Sequence, residues 1–405
     1  MRLARYMTAQ EAAEALNVSV ATIYAYVSRG LIRSEPGDTN SRARLYLVED
    51  VQRLLDQKAY RHDPAKAANN ALRWGMPILE SALTLITETG LYYRGRDVQQ
   101  LATKCTLEQV AALLWTGEMA DAPDIFAGSQ PVQAYLHALQ QLDRGLSMLQ
   151  KLQVAPALAS TDDLAAYDFG NAAQTGARIL KLLAAVLANI AETEAPVVAI
   201  LQQGWQQKDS QSAALLNAAL ILCADHELNA STFTARVVAS TEAQLYLVVT
   251  AGLAALQGFK HGGNTLLVEK LLREVSTPDA ARRVIAEHLR RGEYIPGFGH
   301  RLYPNGDIRA ALLLRLIAQS FPDAPTMELA KTIAEVVLEV TGKKPNVDFA
   351  LVVLAQTLNL PPESALALFA LGRTVGWIAH AIEQYQREEL LRPRAQYVGP
   401  RPSGL

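Results

Sequence analysis

From about Gly75 onward, apolar residues recur at three- and four-residue spacing, and runs alternating apolar with polar are rare. That period puts one stripe of each segment on a buried face and predicts helices. Pro and Gly breaks separate segments expected over Leu101–Trp115, Gly176–Ala191, Ser212–Ala224, Thr241–Leu256, Ala280–Arg291, Asp307–Ala318, Met327–Thr341 and Pro362–Trp377. Strand is expected only in a small hairpin near Gly90-Leu-Tyr-Tyr-Arg-Gly95 and in a short segment of the opening residues. The fold class is therefore all-α.

The opening of the chain follows another pattern. Thr8 and Glu11 precede a short apolar face of Ala12, Ala13 and Leu16, at the spacing of a capping box. Asn17, Val18 and Ser19 read as a tight turn, and Ser19 caps a second helix reaching Arg29. Ile23 and Val27 supply its core face; Tyr24, Tyr26 and Ser28 lie on other faces. Gly30 stops it. A turn-rich loop, Glu35 to Ser41, leads to a strand over Arg42–Tyr46, and Glu49 to Leu55 begins another helix.

Helix, tight turn, helix and basic hairpin resemble the winged helix-turn-helix of the MerR and excisionase type, over residues 1–57. The resemblance implies duplex DNA as a partner. The second helix, with Tyr24 and Arg29, would enter the major groove, and Arg42 and Arg44 on the wing would meet phosphates. The charge is thin, however. Arg29, Arg33, Arg42 and Arg44 are offset by Glu11, Glu14, Glu35 and Asp38, and duplex affinity depends on phosphate neutralisation. A structural or docking role stays open beside DNA binding. Residues 58–75 are polar and Ala-rich and read as a linker.

The chain has 405 residues, 50% of them hydrophobic, enough for more than one domain. A formal net charge of −2 gives no basic excess that advertises nucleic acid or membrane. The apolar stretch Ile179–Ile190 is too short to cross a bilayer and holds Lys181. Cys105 and Cys223 lack metal or redox spacing and read as two buried thiols in a reducing compartment. No secretory signal is legible at the start. A soluble cytoplasmic protein with no membrane partner and no bound metal is expected.

Four islands carry candidate chemistry. His226 sits in Ala224-Asp-His-Glu-Leu-Asn-Ala-Ser-Thr-Phe233 and His261 in Gly258-Phe-Lys-His-Gly-Gly263. His300 sits in Pro296-Gly-Phe-Gly-His-Arg-Leu-Tyr303 and Asp348 in Pro345-Asn-Val-Asp-Phe349. Two imidazoles and one carboxylate can take a proton from a carbon beside a carbonyl and polarise a second carbonyl. Each island alone has a plainer reading: a helix-capping His261, an N-cap Asp348, a His226 that ties helix ends.

In this order, and together with Tyr93-Arg-Gly-Arg-Asp97, Leu113-Leu-Trp-Thr-Gly-Glu118, Ala370-Leu-Gly-Arg-Thr-Val-Gly-Trp377 and Arg392-Pro-Arg394, the islands closely resemble the citrate synthase family from near Leu79 onward. The resemblance implies a two-domain helical fold. A large domain spans 76–263, a small domain over 264–360 closes on the substrates, and 361–405 returns to the large domain and ends in an arm. It also implies a homodimer that condenses acetyl-CoA, a substrate rather than a cofactor, with oxaloacetate. On that resemblance His261 hydrogen-bonds the thioester carbonyl, Asp348 removes the methyl proton and His300 protonates the ketone. His226 contacts oxaloacetate. Its carboxylates fall to Arg309, Arg373 and an Arg392 reaching into the partner's active site. Neither cofactor nor metal is implied. Propionyl-CoA as acyl donor, giving 2-methylcitrate, stays open, as does a DNA-binding regulator whose body senses metabolites.

Four departures lie beside the reacting groups. Phe259 and Lys260 replace the family's Pro and a small or apolar residue, and Asn264-Thr-Leu266 replaces Ala-Asn-Glu. Ala350-Leu-Val352 replaces aromatic-Ser-Gly, and Ile308 replaces the Pro of Asp-Pro-Arg. They bear on acyl-CoA choice and efficiency, and leave the set of reacting groups intact.

Overall fold

The computed structural model describes residues 6–36, 44–48, 50–51, 54–55, 79–87, 89–128, 131–142, 145–191, 193–395 and 397–400. The chain divides into two compact units, Met1–Glu80 and Ser81–Leu405.

In the first unit, the Thr8 hydroxyl accepts the Glu11 N–H at 3.2 Å and the Glu11 carboxylate accepts the Thr8 N–H at 2.7 Å. This reciprocal cap starts α1 (Ala9–Leu16). Asn17, with a left-handed φ of 48°, closes α1, and Ser19 caps α2 (Val20–Ser28). The strands β1 (Tyr6–Met7), β2 (Ser34–Pro36) and β3 (Arg44–Leu47) form an antiparallel sheet in the order β1-β3-β2. Tyr46 on the central strand pairs with both Met7 and Ser34. Ala12, Leu16, Ile23, Ile32, Tyr46 and Val51 make the core, with Val27 half-buried against it. Of the expected wing, Arg44 is described. Arg42 and the linker over 58–75 lie outside the described residues.

The second unit opens on an antiparallel sheet of β4 (Thr84–Ile86), β5 (Leu91–Tyr93) and β6 (Arg96–Asp97), the hairpin expected near Gly90. Helices follow: α3 (Val98–Lys104), α4 (Leu107–Thr116), α5 (Ala122–Ile125), α6 (Gln133–Leu142), α7 (Met148–Ala159) and α8 (Ala172–Ala188). Next come α9 (Val197–Gly204), α10 (Ser210–Cys223), α11 (Ala230–Ala239), α12 (Leu245–Leu256) and α13 (Gly263–Val275). The last are α14 (Ala281–Arg290), α15 (Ile308–Ser320), α16 (Pro325–Thr341), α17 (Val347–Thr357) and α18 (Ser364–Tyr385).

Several segments differ from expectation, among them the helix expected over Gly176–Ala191, which runs from Ala172 to Ala188. The single helix expected over Leu101–Trp115 is two, because Cys105 turns extended and Thr106 with Gln109 forms a capping box that starts α4. The helix expected from Thr241 begins at Leu245, since Glu242 takes a φ of 59°. The helix expected to end at Trp377 continues to Tyr385, because neither Gly nor Pro follows to stop it. The thiols differ too: both cysteines are free, but only Cys223 is buried, and Cys105 is half-buried.

The last helix, α18, organises the body by packing against α4, α8, α10, α11, α12 and α17. Its most apolar window has the length and hydropathy of a membrane span, and 94% of that window is buried within the protein. Gly372 permits the close approach to α10: a Cβ there would stand 2.6 Å from the Leu220 carbonyl oxygen. That approach puts the next residue, Arg373, at the C-terminal end of α10.

Candidate active site

Loop pairing builds the first half of the site. Gly297 and Gly299 take left-handed φ values of 84° and 79°, which glycine adopts at little cost. The Gly299 N–H donates to the Lys344 carbonyl at 2.8 Å and the Asn346 N–H to the Gly297 carbonyl at 2.9 Å. The His300 and Asp348 islands, separate in sequence, are thus one structure. Asp307, which caps α15, fastens them again. Its Oδ1 accepts from Arg309 Nε at 2.9 Å, and its Oδ2 accepts from Arg309 Nη2 at 2.8 Å and from the Val347 N–H at 3.0 Å.

His226 and His300 meet edge to face with ring centroids 5.2 Å apart. The Tyr303 hydroxyl stands 2.9 Å from His226 Nε2, and the Arg309 guanidinium lies 5.4 Å over the Tyr303 ring. The Leu302 N–H donates to His300 Nδ1 at 3.2 Å. A neutral His300 therefore carries its proton on Nε2.

The second half gathers at the N-terminus of α13. His261 Nε2 is 2.7 Å from Ser231 Oγ, which also accepts from Trp377 Nε1 at 3.2 Å. Phe369 on α18 links this histidine to an arginine: its ring centroid is 6.2 Å from that of His261 and 4.8 Å from the Arg373 guanidinium. Arg373 Nε donates to the Cys223 carbonyl at 2.8 Å, while its Nη2 is buried without a hydrogen-bond partner among the described residues. Such an orphan costs about 1–3 kcal/mol or more, and an incoming anion would satisfy it.

Asp348 is half-buried in the first turn of α17. Asn264 Nδ2 donates to its Oδ2 at 2.7 Å and Thr265 Oγ1 to its Oδ1 at 2.9 Å. The plainer readings of the islands fall to neighbours. Asn346 is the N-cap of α17 and Asn229 the N-cap of α11. His261 turns its side chain to Ser231.

Electrostatics then sets the protonation states. Burial, reinforced by the Arg373 cation, holds His261 down at about 4. Burial and the Arg309 cation hold His300 down to about 4 against the pull of Asp307. His226 is pushed well below its ordinary value by burial and then by Arg309 and Arg373. All three imidazoles are neutral at pH 7, so each offers one N–H and one lone pair. Burial raises Asp348 above the ordinary carboxylate value, and the bonds from Asn264 and Thr265 oppose it. Burial disfavours the Arg309 cation, but Asp307 outweighs burial and keeps the pair ionised.

Residues 71–394 match the family described as citrate synthase, C-terminal domain, and residues 6–59 match a helix-turn-helix domain. A citrate synthase of Mycolicibacterium smegmatis is 32% identical over 342 residues, covering 78% of this chain and 91% of the relative. The chain belongs to the citrate synthase family. Its body has the mostly helical citrate synthase fold, preceded by a helix-turn-helix unit, and the protein is a citrate synthase-type acyltransferase. A 2-methylcitrate synthase of Mycobacterium tuberculosis is also 32% identical, over 340 residues that cover 76% of this chain and 84% of the relative. Citrate synthase of Thermoplasma acidophilum, solved in a ternary complex with carboxymethyl coenzyme A and oxaloacetate, matches with a TM-score of 0.72. That match has 26% identity over 81% of this chain and 95% of that one.

Two linked groups of the expected citrate synthase residues are thereby assembled: His226, His300 and Arg309 about Tyr303, and His261 with Arg373 about Phe369. Loop pairing and Asp307 tie Asp348 to the first group; Asn264 and Thr265 tie it to the helix that His261 precedes. Arg392 is exposed on the segment after α18, and no contact among the described residues ties it to either group. Sequence reasoning missed Ser231, Asn264, Thr265, Tyr303 and Asp307 as working parts. For Ser231, Tyr303 and Asp307 a signal existed, since they lie within the segments that carry His226, His300 and Arg309. In the first unit, Tyr24 is 56% exposed on α2 and Arg29 is exposed at its end. Arg44 is exposed too, with Nη2 on the Ser34 carbonyl at 3.3 Å.

Proposed function

We propose that the protein condenses acetyl-CoA with oxaloacetate and hydrolyses the resulting citryl thioester to citrate and CoA. The observation that carries this reading is a neutral His300 with its proton on Nε2, beside a buried arginine pair with one guanidinium N–H unpaired. A dianionic keto acid needs both: cations for its carboxylates and a neutral donor for its ketone oxygen.

Asp348 takes a methyl proton from the thioester. His261 stabilises the enol oxygen through Nδ1–H, a tautomer available when the Ser231 hydroxyl proton turns from Asn229 Oδ1, which it meets at 2.8 Å, to His261 Nε2. The enol carbon attacks the ketone carbon, and His300 passes its Nε2 proton to the developing alkoxide. Arg309 and Arg373 hold the carboxylates, His226 contacts the same substrate, and Arg392 of the partner subunit completes the site in a cytoplasmic homodimer. The segment over 264–360 carries Asp348, His300 and Arg309 and would close on the body holding His226 and Arg373, excluding water until hydrolysis. No cofactor takes part.

Free-thiol release from acetyl-CoA and from propionyl-CoA, with and without oxaloacetate, tests this reading. Oxaloacetate-dependent release that Asp348→Ala abolishes supports it. Faster release from propionyl-CoA would name a 2-methylcitrate synthase instead. No release from either thioester would overturn the enzyme reading and favour a metabolite sensor.

A second reading concerns the first unit, where an exposed tyrosine and arginine at the end of α2 and an exposed Arg44 favour duplex DNA as partner. Two copies in a dimer would add avidity to a weak site. Salt-dependent duplex binding, weakened by Arg42→Ala with Arg44→Ala, supports it; salt-insensitive or absent binding counts against it.

A further inference from the structure

The catalytic carboxylate is held in an unusual way. Both oxygens of Asp348 accept side-chain hydrogen bonds, one from Asn264 at 2.7 Å and one from Thr265 at 2.9 Å. Both donors belong to the first turn of α13, and Asp348 belongs to the first turn of α17. The N-termini of two helices therefore point at one carboxylate, and each favours its negative charge. Neither donor serves as a helix cap: α13 has no side-chain cap bond, and α17 is capped by Asn346. The Tyr294 hydroxyl, at 3.4 Å from Asn264 Oδ1, backs the amide from a ring 59% exposed.

We propose that Asn264 and Thr265 are positioning residues, a two-point clamp that aims the Asp348 carboxylate through one hydrogen bond to each of its oxygens. The proposal rests on Asp348 being the base. A carboxylate oxygen has about two lone pairs, so each keeps one free to take a proton from carbon. Donors to a carboxylate favour its ionised form. The clamp thus keeps Asp348 ready at neutral pH and weakens it as a base, so substrate-induced loosening of one bond would strengthen it at the moment of use.

Other charges around Asp348 leave room for this control. Of the four helices on α17, α15 brings Arg309 with Asp307 at its cap, one favouring the carboxylate and one disfavouring it. The helix α18 carries Arg373, and α13 carries Glu269, which pairs with Arg273. The charges of α16, Glu328, Lys331, Glu335 and Glu339, are exposed. The Cys223 thiol at the end of α10 also faces Asp348, and burial pushes it up to about 12, so it stays neutral.

The test is the acid limb of the kcat/KM profile, read beside the Asp348 carboxyl titration. The titration uses 13C NMR of the full chain labelled at the aspartate γ-carbon and is assigned by its loss in Asp348→Asn. Asn264→Ala and Thr265→Val each remove a donor to the ionised form, so each is expected to move limb and titration upward by about one pH unit. Thr265→Ser, which keeps the hydroxyl, returns both to the wild-type position. Unmoved titration in folded Asn264→Ala and Thr265→Val overturns the clamp, even if activity falls. If the wild type releases no thiol, the function proposed above fails, and the titration still decides the clamp.

Discussion

Both units bury paired charge, but among the described residues only the body also buries a guanidinium nitrogen without a partner. Among the described residues of the first unit the single buried charged group is Asp50, 2% exposed, and Arg33 satisfies it completely. The Arg33 N–H, Nε and Nη2 reach its oxygens at 2.8, 2.9 and 3.1 Å. In the body, Arg373 is 1% exposed and leaves Nη2 unpaired, while neutral His226 is buried beside it in the field of two arginines. A saturated buried charge holds a fold together; an unsaturated one is held ready for something that arrives. Among the described residues, the body therefore keeps a place for an anion in its interior, and the Arg33–Asp50 pair of the first unit keeps none.

The sharpest break of that contrast is removal of the Asp348 carboxylate, the base of the proposed reaction. Asp348→Ala is expected to lower kcat by about 10²–10⁴-fold, the usual worth of a general base, with helical circular dichroism unchanged. Next comes a matched pair of arginines. Arg373→Met should raise KM for oxaloacetate about 10–100-fold, the loss of a charge-assisted hydrogen bond. Arg33→Met should leave kinetics alone and destabilise the first unit by about 1–3 kcal/mol, because Asp50 is left buried and unpaired. Equal kinetic effects from the two substitutions would dissolve the contrast.

A smaller effect is the pH dependence of stability. His261 and His300 titrate near 4 in the folded chain and at about 6.5 when unfolded. As pH falls from about 6.5 toward 4, the unfolded chain takes protons that the native state refuses, so stability drops by at most about 3 kcal/mol for each of the two histidines. Calorimetry should show Tm falling over that window and the fall easing in His261→Gln. The smallest expected effect is deletion of residues 1–57. The relatives named above are matched over 84–95% of their own length while 76–81% of this chain is covered. Turnover of the shortened chain should stay within about twofold if the body folds alone.

Local chemistry was legible in the sequence where it acts over a few residues. Thr8 with Glu11 announces a cap, and the glycines around His300 announce a turn that presents a side chain. The Thr106 and Gln109 cap was just as local, yet an unbroken apolar period concealed it. What stayed hidden depends on chain segments that meet only after folding. Asn264 and Thr265 lie 84 and 83 residues from Asp348, and Ser231 lies 30 residues from His261. Polar residues of such common types carry no local mark of their partner. The orphan on Arg373 was unreadable for the same reason, since its emptiness exists only once α18 has closed on α10.

The bonds of Asp307 separate two properties that enzymes often vary together. Its carboxylate grips Arg309 through the guanidinium and the stretch before Asp348 through the backbone N–H of residue 347, independent of any side chain beyond it. It works as a gauge block between Arg309 and Asp348, which the proposed reaction assigns to seating the keto acid and to taking a proton from the methyl carbon of the thioester. A misplacement of about 1 Å can cost about 10²-fold in rate, so this spacing has little tolerance. Residues 350–352 lie beyond the gauge. Substitution there can therefore leave that spacing as it stands.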